Sequence, residues 1–133
     1  MTIWCRFRLG SGGGMCFCGN VYYDGGYGVT KNLKEAFNWY QKSANKYHTG
    51  GMEILGAMYE HGYGTTKNYT QAKYWYERAA NKGRAVSMYN LGRFYEYGYG
   101  VTKDITKAKE WYEKAAVNGY DDAKSALKRL NGN

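Results

Sequence analysis

The sequence predicts an all-α fold of stacked helix pairs, and three observations predict it. Nearly the same text recurs at a fixed spacing: Tyr23, Tyr59 and Tyr95 lie 36 residues apart (59 − 23 = 36; 95 − 59 = 36), as do Trp39, Trp75 and Trp111 (75 − 39 = 36; 111 − 75 = 36). A period of that size marks a repeat architecture in which each unit buries its apolar face against its neighbours. Within each copy, apolar residues return at three- and four-residue intervals, the spacing of one face of a helix. Glycines and Asn or Asp caps punctuate the copies at fixed places.

In chain order, Gly10-Ser11-Gly12-Gly13-Gly14 reads as a linker, because each Gly costs about 1 kcal/mol inside a helix. Residues 1–14 are therefore expected to form a flexible or atypical segment, and residues 15–133 the repeat domain. Its units are expected at 15–48, 49–84 and 85–120, with a capping helix at 121–130. Asn32-Leu33-Lys34-Glu35 has the form of a capping box. It opens a helix over 33–45 whose Ala36, Trp39, Tyr40, Ser43 and Ala44 share a face. The same helix recurs over 69–81 (Ala72, Trp75, Tyr76, Ala79, Ala80) and 105–117 (Ala108, Trp111, Tyr112, Ala115, Ala116); these are the B helices. A helices are expected over 51–60 and 85–97, each ending at a glycine, Gly62 or Gly98, that takes the left-handed conformation. Gly56 and Gly92 inside them are expected to admit a neighbouring aromatic, Trp75 or Trp111. The last helix places Ala123, Ala126, Leu127 and Leu130 on one face and Lys124, Lys128 and Arg129 on the other, a polar cap for the stack.

The first copy departs from the others. Gly19-Asn20 stands where later copies have Leu55-Gly56 and Leu91-Gly92, and Tyr47 stands where they have Gly83 and Gly119. Its leading helix is expected to be short or frayed. The helix with Trp39 and Tyr40 is then the least covered of the three B helices, and this N-terminal end is a place for a second subunit to pack.

The text from Leu91 to Gly119, Leu-Gly-x-x-Tyr-Glu-x-Gly-x-Gly-Val-x-x-Asp-x-x-Lys-Ala-x-x-Trp-Tyr-x-Lys-Ala-Ala-x-x-Gly, resembles a Sel-one-like repeat, a relative of the tetratricopeptide repeat. Leu55 to Gly83 repeats it with Thr65 for Val101 and Asn68 for Asp104, and the resemblance spans residues 21–130. It implies an α/α solenoid, a right-handed superhelix of antiparallel helix pairs, serving as an adaptor that assembles protein complexes without catalysis. It further implies a concave groove lined by A-helix positions: Gly50, Glu53, Ala57 and Glu60 in one repeat, Val86, Tyr89, Arg93 and Glu96 in the next. A partner peptide or protein would lie across them, with Tyr89 and Arg93 carrying most of the binding because aromatics and Arg dominate interface energetics. A cysteine-rich branch of the family, secreted and linked to β-lactam binding, carries a cysteine pair in each repeat. Here no cysteine recurs with the repeat, so a small-molecule-binding or hydrolytic role of that type is the least supported.

Composition bounds the remaining functions. The 133 residues carry 19 Lys and Arg against 11 Asp and Glu, a net charge of +8, with a mean hydropathy of −0.74. The positive balance supports a nucleic-acid-binding helical repeat as the alternative, although the lysines are scattered over outer faces and loops. Cys5, Cys16 and Cys18 fall within the first eighteen residues and read as reduced thiols. With no signal peptide or apolar span visible near Met1, they point to a cytoplasmic protein. Cys16-Phe17-Cys18 offers two thiolates where a closed structural metal site wants four ligands, and His48 and His61 lie in other copies, so no metal site is expected. Gly62-Tyr63-Gly64 and Gly98-Tyr99-Gly100 follow helices, whereas a phosphate-cradling loop follows a strand, so no cofactor is expected there. Asp24, Glu60 and Glu96 are one repeat position spread along the chain and not a converging acid–base pair, and no nucleophile has an adjacent base; no catalytic residue is assigned.

Overall fold

The computed structural model describes residues 10–132, which hold seven α-helices and no strand. They are α1 (Gly12–Asp24), α2 (Leu33–Asn45), α3 (Thr49–His61), α4 (Tyr69–Asn81), α5 (Ala85–Tyr97), α6 (Ile105–Val117) and α7 (Asp121–Leu130). The three B helices fall where the sequence placed them, and α5 does as well; α3 is longer than expected at both ends. The chain divides into two compact units between Asn68 and Tyr69.

In the first unit α1 packs on α2, and α2 on α3. The core is Cys18, Val21, Ala36, Trp39, Tyr40, Met52, Leu55 and Met58, all buried. The glycine-rich stretch is not a linker. Ser11 caps α1 by accepting the Gly14 N–H on its hydroxyl at 3.0 Å, and the helix runs from Gly12 for thirteen residues, as long as α2 to α6. The reason is close approach: a Cβ on Gly12 would lie 2.6 Å from the Cβ of His48, and the Gly12 carbonyl accepts the Ser43 hydroxyl at 2.6 Å. Contact with the end of α2 offsets the intrinsic cost of glycine, as tertiary packing commonly does. The part of the linker expectation that covers residues 1–9 lies outside the described residues.

The first copy is also in a different register from the one its sequence suggests. At the end of α3, the Gly62 and Tyr63 N–H groups both bond the Met58 carbonyl; at the end of α1, Gly25 and Gly26 bond Val21. The offset is therefore 37 residues (62 − 25), one more than the period. The turn contains one extra residue, absorbed where Tyr27 (φ 56°) and Gly28 (φ 77°) take left-handed backbone. Counted this way, Cys18-Gly19 occupies the place of Leu55-Gly56, and the first copy is a full helix pair. Gly19 confirms it, since a Cβ there would meet the Tyr40 ring at 2.7 Å, just as one on Gly92 would meet the Tyr112 ring at 2.5 Å. The aromatic that the helix glycines admit is thus the tyrosine following the B-helix tryptophan, and not the tryptophan itself.

In the second unit α5 packs on α4 and α6, and α7 on α6. Met88, Leu91, Phe94, Ala108, Tyr112, Ala115, Ala123 and Ala126 are buried. Asp104 caps α6, its carboxylate accepting the Lys107 N–H at 3.0 Å, as Asn32 caps α2 by accepting the Glu35 N–H at 3.1 Å. The Gly-x-Gly turns close the helices. Gly62 and Gly98 end α3 and α5 in the left-handed conformation, while Gly64 lies against the Leu33 carbonyl and Gly100 against Tyr69, each at the start of the B helix of its own unit. Both glycines of the motif therefore have a steric reason.

Candidate interaction surface

The A-helix positions singled out in the sequence divide into two groups. On α3, Glu53 and Ala57 are half-buried while Glu60 is buried. On α5, Val86, Tyr89 and Arg93 are half-buried while Glu96 is buried. Gly50, at the start of α3, is half-buried under His48.

Tyr89 is held by rings on both neighbouring elements, at 5.4 Å from Tyr112 of α6 and 5.0 Å from Tyr120 just before α7. Such tilted aromatic contacts fix a ring's orientation and add about 1 kcal/mol each to its burial. Arg93, one turn further along α5, donates from Nη1 to the Asn90 carbonyl oxygen Oδ1 at 3.1 Å. The face therefore presents a fixed aromatic ring and a guanidinium one turn apart.

Glu96, on the same face of α5 and also in contact with Tyr112, is buried and joins three helices. Its Oε2 accepts the Tyr112 hydroxyl at 2.5 Å and its Oε1 accepts Arg129 Nη1 of α7 at 2.6 Å. Burial alone would raise the Glu96 pKa, but the hydrogen bonds from Arg129 and Tyr112, with the Arg129 and Lys103 charges, hold it below the usual carboxylate range. Tyr112 is pushed above the usual phenol range by its burial and by that carboxylate. Glu96 thus ties α5 to α6 and α7. In the first unit the equivalent tyrosine, Tyr40, donates to Asn20 Oδ1 at 2.6 Å.

Three features went unread in the sequence. Arg129 was placed on a polar outer face, yet α7 starts 36 residues after α5 (121 − 85 = 36), so it occupies an A-helix position and its side chain can reach the preceding pair. Two of the lysines assigned to solvated faces sit on the repeated tryptophans, Lys42 at 4.5 Å from the Trp39 ring centre and Lys114 at 4.4 Å from Trp111, and Arg78 lies likewise 5.5 Å from Trp75. The recurring Trp-x-x-Lys/Arg spacing, three residues apart on one helix face, was the available signal. The third is Cys18, which is disulfide-bonded, with Cys16 buried beside it. The reading of all three cysteines as reduced is corrected to that extent, and with it one support for a cytoplasmic setting. Cys5 lies outside the described residues.

Among the described residues no three His, Cys, Asp or Glu side chains converge as a metal would require, and no helix is long and apolar enough to cross a membrane.

The family model of the Sel1 repeat matches residues 12–48, 51–83 and 85–120. The first match begins at Gly12, where α1 begins. No curated protein sequence matches the chain. Among solved structures, a Sel1 repeat protein from Oxalobacter formigenes is 31% identical over 90% of this chain and 49% of its own, with a TM-score of 0.84. A protective antigen of uropathogenic Escherichia coli strains, described as displaying an SLR fold, is 32% identical over 93% of this chain and 26% of its own, with a TM-score of 0.88. The chain thus spans about half and about a quarter of those two proteins. Helicobacter pylori cysteine rich protein B shares the fold at 22% identity, with a TM-score of 0.73 over 95% of this chain and 98% of its own.

Proposed function

The chain belongs to the Sel1 repeat family, and from that premise we propose that it is an interaction scaffold that binds a partner peptide or protein through the exposed face of its A helices. Members of the family are generally protein-interaction scaffolds and typically non-catalytic, and the reading assigns this chain no catalytic step. The observation that carries it is Tyr89, a half-buried ring already held by Tyr112 and Tyr120, with Arg93 one turn away. A pre-ordered aromatic loses little conformational entropy when a partner covers it, so its burial converts efficiently into affinity. Glu53 and Ala57 occupy the corresponding face of α3 and add contact area there. Glu60 and Glu96, on the same faces but buried, contribute less contact area.

A random-peptide display selection on the folded chain tests this. Selected peptides should lose about tenfold or more in affinity when Tyr89→Ala and Arg93→Ala are introduced together, with helicity unchanged by circular dichroism. Peptides that bind the double variant as tightly as the parent would rule out the A-helix face.

A further inference from the structure

The turns that join each A helix to its B helix carry aromatic rings that the scaffold reading does not use. In the first unit, His61 stacks on Tyr63 with ring centres 5.3 Å apart and planes 28° from parallel, and Tyr63 meets Tyr23 edge-on at 6.5 Å. Lys31 holds its ammonium 5.7 Å from the centre of that Tyr23 ring. In the second unit, Tyr97, Tyr99 and Tyr69 form a three-ring stack: Tyr97 lies 5.6 Å from Tyr99 at 30°, and Tyr99 lies 4.9 Å from Tyr69 at 12°. Phe94 meets both Tyr69 and Tyr99 edge-on from the core side, which fixes the stack in place. The outermost rings are open to solvent, Tyr97 at 54% and Tyr63 at 40% exposure, and His61 is exposed as well.

Charge accompanies the rings. Lys31 and Lys103 hold the same position two periods apart (103 − 31 = 72), and both are exposed. Of the nearby acids in the second unit, Glu96 is buried and bonded by Arg129 and Tyr112, with Lys103 acting on it from a distance, and Asp104 accepts the Lys107 N–H as the α6 cap. The whole chain carries +8.

We propose that these turns are a binding edge for single-stranded nucleic acid, with bases stacking on the Tyr97 and His61–Tyr63 rings and phosphates meeting Lys31 and Lys103. A flat, exposed ring that is already ordered, with a cation beside it, matches the alternating π-face and phosphate of a single strand. Every base offers such a face, so binding is sequence-tolerant. A duplex keeps its bases stacked inside and offers only phosphate to the same surface. Each unit carries its own platform, so the inference needs no particular arrangement between them.

Fluorescence anisotropy with the intact chain and end-labelled oligo-dT and oligo-U of about 12 nucleotides, at about 50 mM salt, tests it. Both strands should bind at about micromolar concentration, equally well, because stacking does not read the 2′-hydroxyl. Tyr97→Ala and Tyr63→Ala introduced together should weaken binding about tenfold, each alone removing one of the two platforms. Lys31→Gln and Lys103→Gln together should flatten the log–log salt dependence by about 0.7. Tyr89→Ala should leave oligonucleotide binding unchanged, which separates this edge from the peptide face. The inference is overturned by absence of binding at that salt, by affinity indifferent to the two tyrosine substitutions, by equal affinity for a duplex of the same length, or by equal competition from a poly-glutamate peptide, which has the charge without the π-face.

Discussion

The first and third repeats have the same parts list but opposite weaknesses. In the first, the A helix opens on three glycines and its register is displaced by one residue, yet its tryptophan, Trp39, is only 6% exposed. Trp39 packs on Cys18, with Met15 and Tyr22 beside it. In the third, every motif residue stands in its place, yet Trp111 is only half-buried and Val117 of the same helix is 86% exposed. Motif quality and coverage are therefore separate properties. The first is set by local sequence, the second by whether another helix lies alongside; each repeat of a stacked array is stabilised by its neighbours. Among the described residues α6 is the last B helix, and Lys114 lies over the Trp111 ring as Lys42 lies over that of Trp39. This reverses the expectation that the helix carrying Trp39 would be the least covered.

The tryptophans separate the two cases most sharply. Trp39→Ala should destabilise the fold by about 3–5 kcal/mol, the usual cost of emptying a large buried site. Trp111→Ala should cost roughly half of that, since part of its surface already meets water. Urea titration of both variants checks the ordering, and equal costs would show that coverage at the two ends does not differ.

Glycine substitutions come next. Gly19→Ala and Gly92→Ala should each cost about 1–3 kcal/mol, because the added methyl would overlap a tyrosine ring that is buried and cannot swing aside. The comparison is sharpened by Asn20→Ala. If Gly19 really stands in the place of Gly92, Asn20→Ala should be milder in steric terms, costing about 1 kcal/mol through the lost hydrogen bond to Tyr40. A neutral Gly19→Ala in thermal denaturation would place the first A helix in the other register.

The smallest effect expected belongs to the third repeat alone. Glu96 has a pKa depressed in the folded state, so its contribution is fully present above the unfolded value of about 4.3 and is lost as pH falls through the folded value. Thermal midpoints measured from pH 6 downwards should therefore decline more steeply below about pH 4 for the parent than for Glu96→Gln. Parallel curves would mean that the carboxylate's pairing with Arg129 and Tyr112 does not persist in solution.

Much of this was legible in the sequence because the repeat supplied its own alignment. Three B helices, their Asn32 and Asp104 caps and the glycine stops follow from periodicity and local backbone chemistry, which act within a few residues. The register of α1 did not, because a one-residue insertion in a glycine-rich turn leaves every local signal intact and shows only in which tyrosine a glycine touches. Tyr89 and Arg93 fall on α5, whose extent matches the expected 85–97. The roles of Tyr120, Arg129 and Cys18 depend on contacts between segments far apart in the chain, about which spacing is silent. Glu96 was read as groove lining because its position alone does not reveal that a guanidinium from α7 reaches back to it.

Native-state hydrogen exchange, resolved by helix, addresses the central claim that the first repeat is a complete helix pair despite its glycines and shifted register. Amides in the middle of α1 and α2 are predicted to be protected to the same degree as those of α5, since core contacts and not motif quality set the free energy of local opening. Exchange of α1 and α2 well ahead of α5 would contradict the account and return the first repeat to the frayed end its sequence suggests.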